Sequence, residues 1–359
     1  MQVRHIFVGI DLGDKNSVAR IGVEREKSER LGFINTKAGR AQLFAKVKRR
    51  AEQIGAPVKI YMAYEASSCG FLLQDEARAE GIQCWVLAPT KMEKSVEQEK
   101  QKNDDRDADD VLEKLRGHVL AGNKLPKVWI PDMEIRDDRE LTRTRLEMGV
   151  KQTQVKAQIQ MLLKRWGVEK PSEIKGSWSK RYRLWLESLR LRWSTGHSLA
   201  SLLRQLQHIE SEIEILDVRI EELAGQKRHQ PILEALMEEK GVGLLTALVY
   251  RTEIGQARRF RRGRQVGKFI GLTPSSHESG QQQDRKGHIT HQGPPRVRKV
   301  LCQATWSHVR HDAEARTAYL RLVEKNPKKK KIALVALMRR LSIRLWHRMR
   351  VAEANIPAN

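Results

Sequence analysis

The sequence predicts an α/β domain of the ribonuclease-H-like class, then a helical coiled-coil segment, then a mainly α-helical C-terminal domain. Three observations predict this order. Short apolar runs alternate with amphipathic stretches over the first 125 residues, whereas residues 136–225 are charged and poor in β-formers. A Gly/Ser/Gln-rich loop at 273–294 then separates further helical patterns. The predicted boundaries are 1–125, 126–228, 229–325 and, for a basic C-terminal helix, 326–359.

The α/β class follows from the order of elements in the first 125 residues. Strands are predicted at 6–11, 17–23, 31–35, 58–64 and 82–87. Helical spacing covers 38–54, a stretch through Leu72 and Ala77, and 104–119. Three strands followed by helix, strand, helix, strand and helix is the order expected of a ribonuclease-H-like fold.

The middle segment carries a heptad pattern. Its apolar residues alternate spacings of three and four, at Leu199, Leu202, Leu206, Ile209, Ile213, Leu216, Ile220 and Leu223. An unbroken seam over about 25 residues predicts a coiled coil, which we expect to join chains into a dimer or tetramer. The alternative is a helical hairpin within one chain, with 144–166 as its other arm. Between the arms, Trp178, Tyr182, Trp185 and Trp193 are expected to pack rather than to stack on bases.

Two short glycine-containing and basic segments mark the C-terminal domain. Helices are predicted at 232–240 and 244–254, around Gly241-Val242-Gly243. This resembles a helix-hairpin-helix, whose backbone N–H groups of Gly241 and Gly243 can receive a phosphate; a plain turn is the alternative. Backbone contacts to nucleic acid are also expected from two basic groups: Arg258, Arg259, Arg261, Arg262 and Arg264, and Lys328, Lys329, Lys330 and Lys331.

The charge of the chain indicates its class of partner. Lysine and arginine number 68 against 44 acidic residues, a formal net charge of +24. Such an excess indicates a polyanion, and nucleic acid is the expected one. No run of about 20 apolar residues and no signal-peptide pattern is found, so a membrane partner is not expected. Three scattered cysteines argue against zinc or disulfides, and the expected location is the cytoplasm, at the nucleoid.

Four acidic residues are candidates for a metal site. Asp11 ends the first predicted strand and Glu65 follows the fourth, while Asp104 and Asp107 are three apart at the start of a helix. In a ribonuclease-H-like sheet the first and fourth strands are neighbours, so these carboxylates would converge. They suit a pair of Mg²⁺ ions, or of Mn²⁺, acting on a phosphodiester. The alternatives are turn, capping or helix-dipole roles, and Asp105, Asp109 and Asp110 are expected to be solvated.

The first strand also allows another interpretation. Residues 8–13 are similar to the opening phosphate loop of actin-like ATPases and sugar kinases. Those proteins need a second glycine-rich phosphate loop and an adenosine motif, and neither occurs in this sequence. The ATPase interpretation also leaves the net charge of +24 unexplained.

Several motifs together resemble one family. They are the Gly9-Ile10-Asp11 strand, Glu65, residues 102–108 (Lys-Asn-Asp-Asp-Arg-Asp-Ala), the Gly-Val-Gly hairpin, and the Gly-Leu-Thr-Pro and Ser279-Gly280 loop. They are similar to the motifs of insertion-sequence transposases that combine a Holliday-junction-resolvase-like (RuvC-like) DEDD domain with a C-terminal serine domain. That family is known as the bridge-RNA-guided DNA recombinases. The chain departs from its pattern at Asn103, usually threonine, and at Asp105, often arginine.

The resemblance implies a chemistry for these residues. Asp11, Glu65, Asp104 and Asp107 would be the ligands of Mg²⁺, and Ser279 the nucleophile that takes a DNA 5′-phosphate into a phosphoserine link. The partners would be double-stranded DNA, at the element's ends and at the target, and a structured guide RNA. From the residues alone, a turn serine beside a glycine is the favoured interpretation of Ser279. Ser275 and Ser276 are fallback nucleophiles, and His277, His288 and His291 lie in the same loop. Two other functions stay open: a hydrolytic endonuclease of the junction-resolving kind, and a non-catalytic nucleic-acid-binding protein.

Overall fold

A computed structural model describes residues 3–92, 104–276, 286–325 and 327–356 of the chain. The chain divides into two compact units, Met1–Ile130 and Pro131–Asn359. The structure therefore places one boundary near the first predicted one. It does not separate the helical segment, the C-terminal domain and the last helix into compact units of their own.

The first unit is built on a five-stranded sheet. Its strands are β1 (Arg4–Asp11), β2 (Asn16–Val23), β3 (Glu29–Ile34), β4 (Val58–Glu65) and β5 (Gln83–Leu87). The order across the sheet is β3-β2-β1-β4-β5. Strands β1, β2 and β3 pair antiparallel, while β4 pairs parallel with β1 and β5 parallel with β4. This mixed α/β arrangement is consistent with the predicted ribonuclease-H-like class.

Helices cover both faces of this sheet. Helices α1 (Lys37–Ile54) and α2 (Leu72–Ala79) share a core with Ile6, Val8 and Ile10. On the other face, α3 (Asp104–Ala121) shares a second core with Phe7 and Ala63. The alternation of β1 residues between the two cores follows from the two-residue repeat of a strand. The predicted strands and helices of the first 125 residues are thereby confirmed, with ends shifted by at most a few residues.

The second unit is mostly helical. Its helices are α4 (Met133–Arg165), α5 (Lys180–Ser188), α6 (Trp193–Ala224), α7 (Gln230–Met237), α8 (Leu244–Ile254), α9 (Gly263–Phe269), α10 (Pro295–His311), α11 (Ala313–Lys325) and α12 (Lys330–Ala354). A two-stranded sheet of β6 (Pro274–Ser276) and β7 (Lys286–Ile289) is added. Among the residues just described, no helix has the length and apolar character needed to cross a bilayer.

The heptad seam of α6 is covered within the chain. Helix α4 packs along α6, and Leu199 and Leu206 share a core with Ile159 of α4. Arg145 of α4 donates to Asp217 of α6 at 2.6 Å. Each residue of the seam is buried or half-buried in the single chain. The hairpin interpretation therefore accounts for the seam, and the expected pairing between chains is not confirmed by it.

The last helix is part of a core rather than a separate basic tail. Leu341, Leu345 and Trp346 of α12 lie in one apolar cluster with residues of α7, α8 and α10. The indole N–H of Trp346 donates to the carbonyl of Ala257 at 2.9 Å, and Trp346 is almost fully buried. The predicted boundary at 326 therefore falls inside a packed unit, because one face of this amphipathic helix is strongly apolar.

Candidate active site

Asp11 lies at the end of β1 on the face covered by α3. Side chains alternate along a strand, so Phe7, Gly9 and Asp11 share one face. Phe7 packs in the core formed with α3, which identifies that face. Asp11 itself is half-buried.

Glu65 occupies the matching position on the neighbouring strand. Strands β1 and β4 run parallel, with Gly9 opposite Ala63. Two residues further along each strand are Asp11 and Glu65, at the same level and, because Ala63 also packs in the α3 core, on the same face. Adjacent strands lie about 4.8 Å apart, so the two backbones hold the carboxylates as neighbours.

Gly9 determines how closely α3 approaches β1. A Cβ atom at this position would lie 2.4 Å from both the Ala108 carbonyl oxygen and the Leu112 backbone nitrogen. Atoms this close cannot coexist, so only glycine allows the helix backbone to rest directly on the strand. The start of α3 is thereby held beside the end of β1. A glycine inside an apolar strand was the sequence signal for this contact.

Asp104 and Asp107 lie on the side of α3 that faces the sheet. Each precedes a buried residue by four positions, Ala108 and Val111 respectively, and residues four apart share a helix face. Asp104 is exposed at the first helical position and Asp107 is half-buried. The structure therefore brings Asp11, Glu65 and the first turn of α3 to one face of the sheet.

Asp105 and Asp109 lie on the flank of α3 next to β2 and β3 and are held by arginines of those strands. Arg30 donates from Nε to Asp105 at 2.6 Å, and Arg20 lies 3.2 Å from Asp109. The expectation that Asp105 and Asp109 are merely solvated is therefore wrong. Their ion pairs to β2 and β3 hold the acidic turn in place, and they explain how aspartate is accommodated at position 105.

The four candidate ligands have the chemical character that a hard cation prefers. All are carboxylates, the oxygen donors that Mg²⁺ prefers. In the part of the chain that the structure describes, no group of three or more acidic, histidine or cysteine side chains is close enough to form a metal site. The carboxylates share one sheet face without converging on a single point.

Ser279 lies outside the described residues, as do His277, Lys102 and Asn103. The segments on either side of 277–285 are described. Strands β6 and β7 pair antiparallel, and Ser275 donates to the carbonyl of His288 at 3.1 Å. Ser275, a fallback nucleophile, is thus engaged in a backbone hydrogen bond.

Arg298 ties the two ends of this loop together. Its guanidinium donates to the carbonyls of Ile270, Gln292 and Gly293 at 2.9, 3.1 and 3.1 Å. Burial lowers the pKa of Arg298. The Gly-Leu-Thr-Pro and Gly-Pro-Pro-Arg motifs, 22 residues apart in sequence (271 and 293), are therefore held side by side. Sequence reasoning did not find this role for Arg298.

The Gly-Val-Gly turn packs on another helix. Gly241 has a φ of +88°, and a Cβ atom there would lie 2.5 Å from the backbone nitrogen of His308 in α10. Close packing and the left-handed backbone therefore explain Gly241. Gly243 precedes α8, and nothing lies within 4 Å of its added Cβ. The helix-hairpin-helix interpretation is not confirmed, and phosphate binding here stays a prediction.

One of the five clustered arginines is used for packing. Arg259 stacks on Phe260 and Phe269, with its guanidinium carbon 4.1 and 4.4 Å from the ring centres, and donates to the carbonyl of Ile254. Burial lowers its pKa to about 10. The other members of the two basic groups are exposed, as contacts with a nucleic-acid backbone would require. They are Arg258, Arg261, Arg262, Arg264 and Lys328 to Lys331.

Two family models match the chain. One, described as "Transposase" and specific to the DEDD transposases of IS110, matches residues 8–167. The other, described as "Transposase IS116/IS110/IS902 family", matches residues 233–320.

Curated relatives are similar over most of the chain. A putative transposase, y4qE, of Sinorhizobium fredii is 29% identical over 307 residues, covering 85% of this chain and 72% of the relative. A second one from that organism, y4rJ, is 26% identical over 330 residues, covering 86% and 82%. The transposase for insertion sequence element IS1111A of Coxiella burnetii is 30% identical over 130 residues, 35% of each chain.

Proposed function

We propose a serine-mediated mechanism for this chain, which belongs to the IS110/IS116/IS902 family of insertion-sequence transposases and is a DNA transposase or recombinase. A DEDD transposase domain depends on divalent metal ions. In our proposal the ion is Mg²⁺, its ligands are Asp11, Glu65, Asp104 and Asp107, and the nucleophile is Ser279.

The observation that carries the proposal is the shared sheet face. Asp11 and Glu65 end adjacent parallel strands, and Gly9 admits α3 so closely that its first turn lies beside them. Asp105 and Asp109 are occupied by arginines and so are not candidates. When bound, Mg²⁺ would neutralise charge on the attacking and leaving oxygens of a phosphodiester. The four carboxylates would hold the metal ions in place, and the bound ions would position the scissile phosphate for in-line attack.

The proposed covalent step balances without an external energy source. The Ser279 hydroxyl oxygen attacks the phosphorus as its proton passes to a nearby base. The bond from phosphorus to the 3′ oxygen breaks, and this oxygen takes up a proton from solvent and leaves as a free 3′-hydroxyl. A 3′-hydroxyl from another strand then attacks the phosphoserine and releases the serine. The number of phosphoester bonds is conserved, so strands can be exchanged without ATP.

The proposal extends to the partners of the enzyme. The DNA partner follows from the transposase family, and the exposed Arg and Lys groups of the second unit are suited to its phosphates. We further propose a structured guide RNA, as the resemblance to the bridge-RNA-guided recombinases implies. The low aromatic content, 5% of residues, fits sequence reading by base pairing with a guide. Self-association as a dimer or tetramer stays part of the proposal, without assignment to the α6 seam.

The test is a search for a covalent protein–DNA adduct on a denaturing gel. The full chain is co-expressed with the noncoding sequence that flanks its element, then given labelled element-junction DNA and Mg²⁺. Ser279→Ala should abolish the adduct. Asp107→Asn should lower it by at least about a hundredfold, because metal stabilisation of the transition state contributes several kcal/mol.

Asp109→Asn is the matched control for the acidic helix. It removes a carboxylate two positions away, on the other flank of α3. The interactions affected are a partly exposed ion pair with Arg20 and a hydrogen bond from Ser28, each worth about 1 kcal/mol. Its adduct should form at nearly the wild-type level. DNA cutting that survives Ser279→Ala without any adduct would leave the hydrolytic endonuclease standing. Activity that survives Asp107→Asn would remove the metal assignment.

A further inference from the structure

The turn between α5 and α6 exposes a tryptophan that was expected to pack. Trp193, the first residue of α6, is 80% exposed, more than any other large apolar side chain described. Its ring contacts that of His197, one helical turn later, edge to face at 4.6 Å between ring centres. Tyr182, by contrast, is buried against Trp178 and Trp185. The chain therefore holds one indole out in solvent in a defined orientation.

Three arginines lie near this indole along the chain. Arg190 and Arg192 precede it and Arg204 follows on α6, and all three are exposed. In the described ranges none of the three forms an ion pair with a carboxylate. Residues 175–204 contain seven lysines and arginines against the single acid Glu187. We call Arg190, Arg192, Trp193, His197 and Arg204 the tip cluster.

A depression opens beside the tip cluster. It has a volume of about 780 Å³ and is lined by Trp193, His197, Arg190 and Arg204, by leucines such as Leu189 and Leu203, and by the carboxylates of Glu187 and Glu210. Pockets of about 300–1,000 Å³ are typical of small-ligand sites. An apolar floor with cationic edges is suited to a flat, apolar ring that carries a phosphate.

We propose that the tip cluster binds an unpaired nucleotide segment, with a base stacked on Trp193 and phosphates on Arg190, Arg192 and Arg204. A duplex buries its base faces, so an exposed indole selects single strands and loops. A protein partner is less suited, because basic residues outnumber the two carboxylates of this surface, Glu187 and Glu210, and Glu210 is already paired with Arg183. The site extends the enzyme's contacts to nucleic acid beyond the basic groups of α9 and α12. It does not depend on the Ser279 chemistry.

The test is photocross-linking of the full chain to single-stranded oligonucleotides of about 12 nucleotides, a length in the usual range for such sites. Ribose and deoxyribose versions carry 5-iodouracil, and the cross-linked residue is mapped by mass spectrometry. The cross-link should map to Trp193 or His197. Trp193→Ala should lower its yield by about 5- to 150-fold, the effect of losing one base stack. Trp193→Phe should keep most of it.

The control is Trp306→Ala, which removes a 45% exposed tryptophan on α10. It should leave the cross-link unchanged. Arg190→Ala and Arg192→Ala should each lower the slope of log affinity against log salt by about 0.7, the value for one phosphate on a single strand. Because Trp193 is exposed, Trp193→Ala should unfold at the wild-type temperature.

Three results would overturn the proposal. The first is a cross-link that maps elsewhere, and the second is a tip cross-link unchanged in Trp193→Ala. The third is a loss of self-association in Trp193→Ala without any cross-link in the wild type, which would make the tip a protein contact. Ser279→Ala should keep the tip cross-link, so failure of the strand-transfer proposal remains distinguishable. Comparing the ribose and deoxyribose yields shows which nucleic acid occupies the site.

Discussion

Replacing Gly9 by alanine tests the contact that positions the acidic helix. The added Cβ would lie 2.4 Å from the Ala108 oxygen and 2.7 Å from the Leu112 Cα, all backbone atoms of α3. Ordinary van der Waals contact requires about 3.5–4.0 Å, so α3 must move away from β1 by about 1 Å. Overpacking of this kind costs about 1–3 kcal/mol. A misplacement of about 1 Å at a catalytic group costs about a hundredfold in rate.

Two measurements separate these effects. Thermal unfolding of the first unit should shift down by about 3–12 °C, at roughly 3–4 °C per kcal/mol for a unit of this size. Adduct formation at a temperature where the variant is folded should fall by about a hundredfold. Gly32→Ala is the matched control, because its added Cβ in β3 would meet only the Arg30 side chain at 3.6 Å. Wild-type unfolding and adduct formation in Gly9→Ala would refute the proposed position of α3.

Two further predictions concern ion pairs in the second unit. Glu253 is buried and lies 2.9 Å from Arg143, so Glu253→Gln should lower the free energy of unfolding by about 3 kcal/mol. Glu140→Gln, which removes the exposed partner of Arg143, should lower it by less than about 1 kcal/mol. Equal losses in the two variants would contradict this prediction. The hydrogen bond from Arg183 lowers the pKa of Glu210, so its stabilisation exists above the unfolded pKa and is lost as pH falls through the folded pKa. The Glu210→Gln variant should therefore have a lower unfolding temperature than the wild type at pH 7, and the same unfolding temperature in acid. A difference in unfolding temperature that does not change with pH would refute the assignment.

The sheet and its acidic residues were predictable because both depend on local patterns. Two-residue alternation and strand order identify which side chains of β1 and β4 share a face, and this places Asp11 beside Glu65. The three-residue spacing of Asp104 and Asp107 similarly predicts one helix face. The interior Gly9 was visible too, but its partner was not, since the sequence does not tell which backbone approaches a glycine.

Other features depend on contacts that local patterns do not contain. The apolar seam of α6 is equally suited to packing on a partner chain or on α4 of the same chain. The length of the connection between α4 and α6 allows both arrangements. Arg259 belongs to the same cluster of arginines in the sequence as its exposed neighbours, but it stacks on the rings of Phe260 and Phe269. Trp193 has the same near-helical spacing as the packed aromatic residues before it. It lies after the turn that follows α5, at the first position of α6, and its side chain is exposed. The sequence around Asp105 and Asp109 likewise did not indicate that these residues form ion pairs with arginines on β2 and β3.

The most direct measurement is the identity of the residue that carries the DNA. Trypsin should release the linked serine in a peptide spanning residues 269–285, which contains Ser275, Ser276 and Ser279. Fragmentation of this peptide by mass spectrometry locates the attached nucleotide. Our account predicts a nucleotide 5′-phosphate on Ser279, and its absence when Asp107 is changed to Asn. A nucleotide on Ser275 or Ser276, or DNA cut by the wild-type enzyme with no linked peptide, would contradict it.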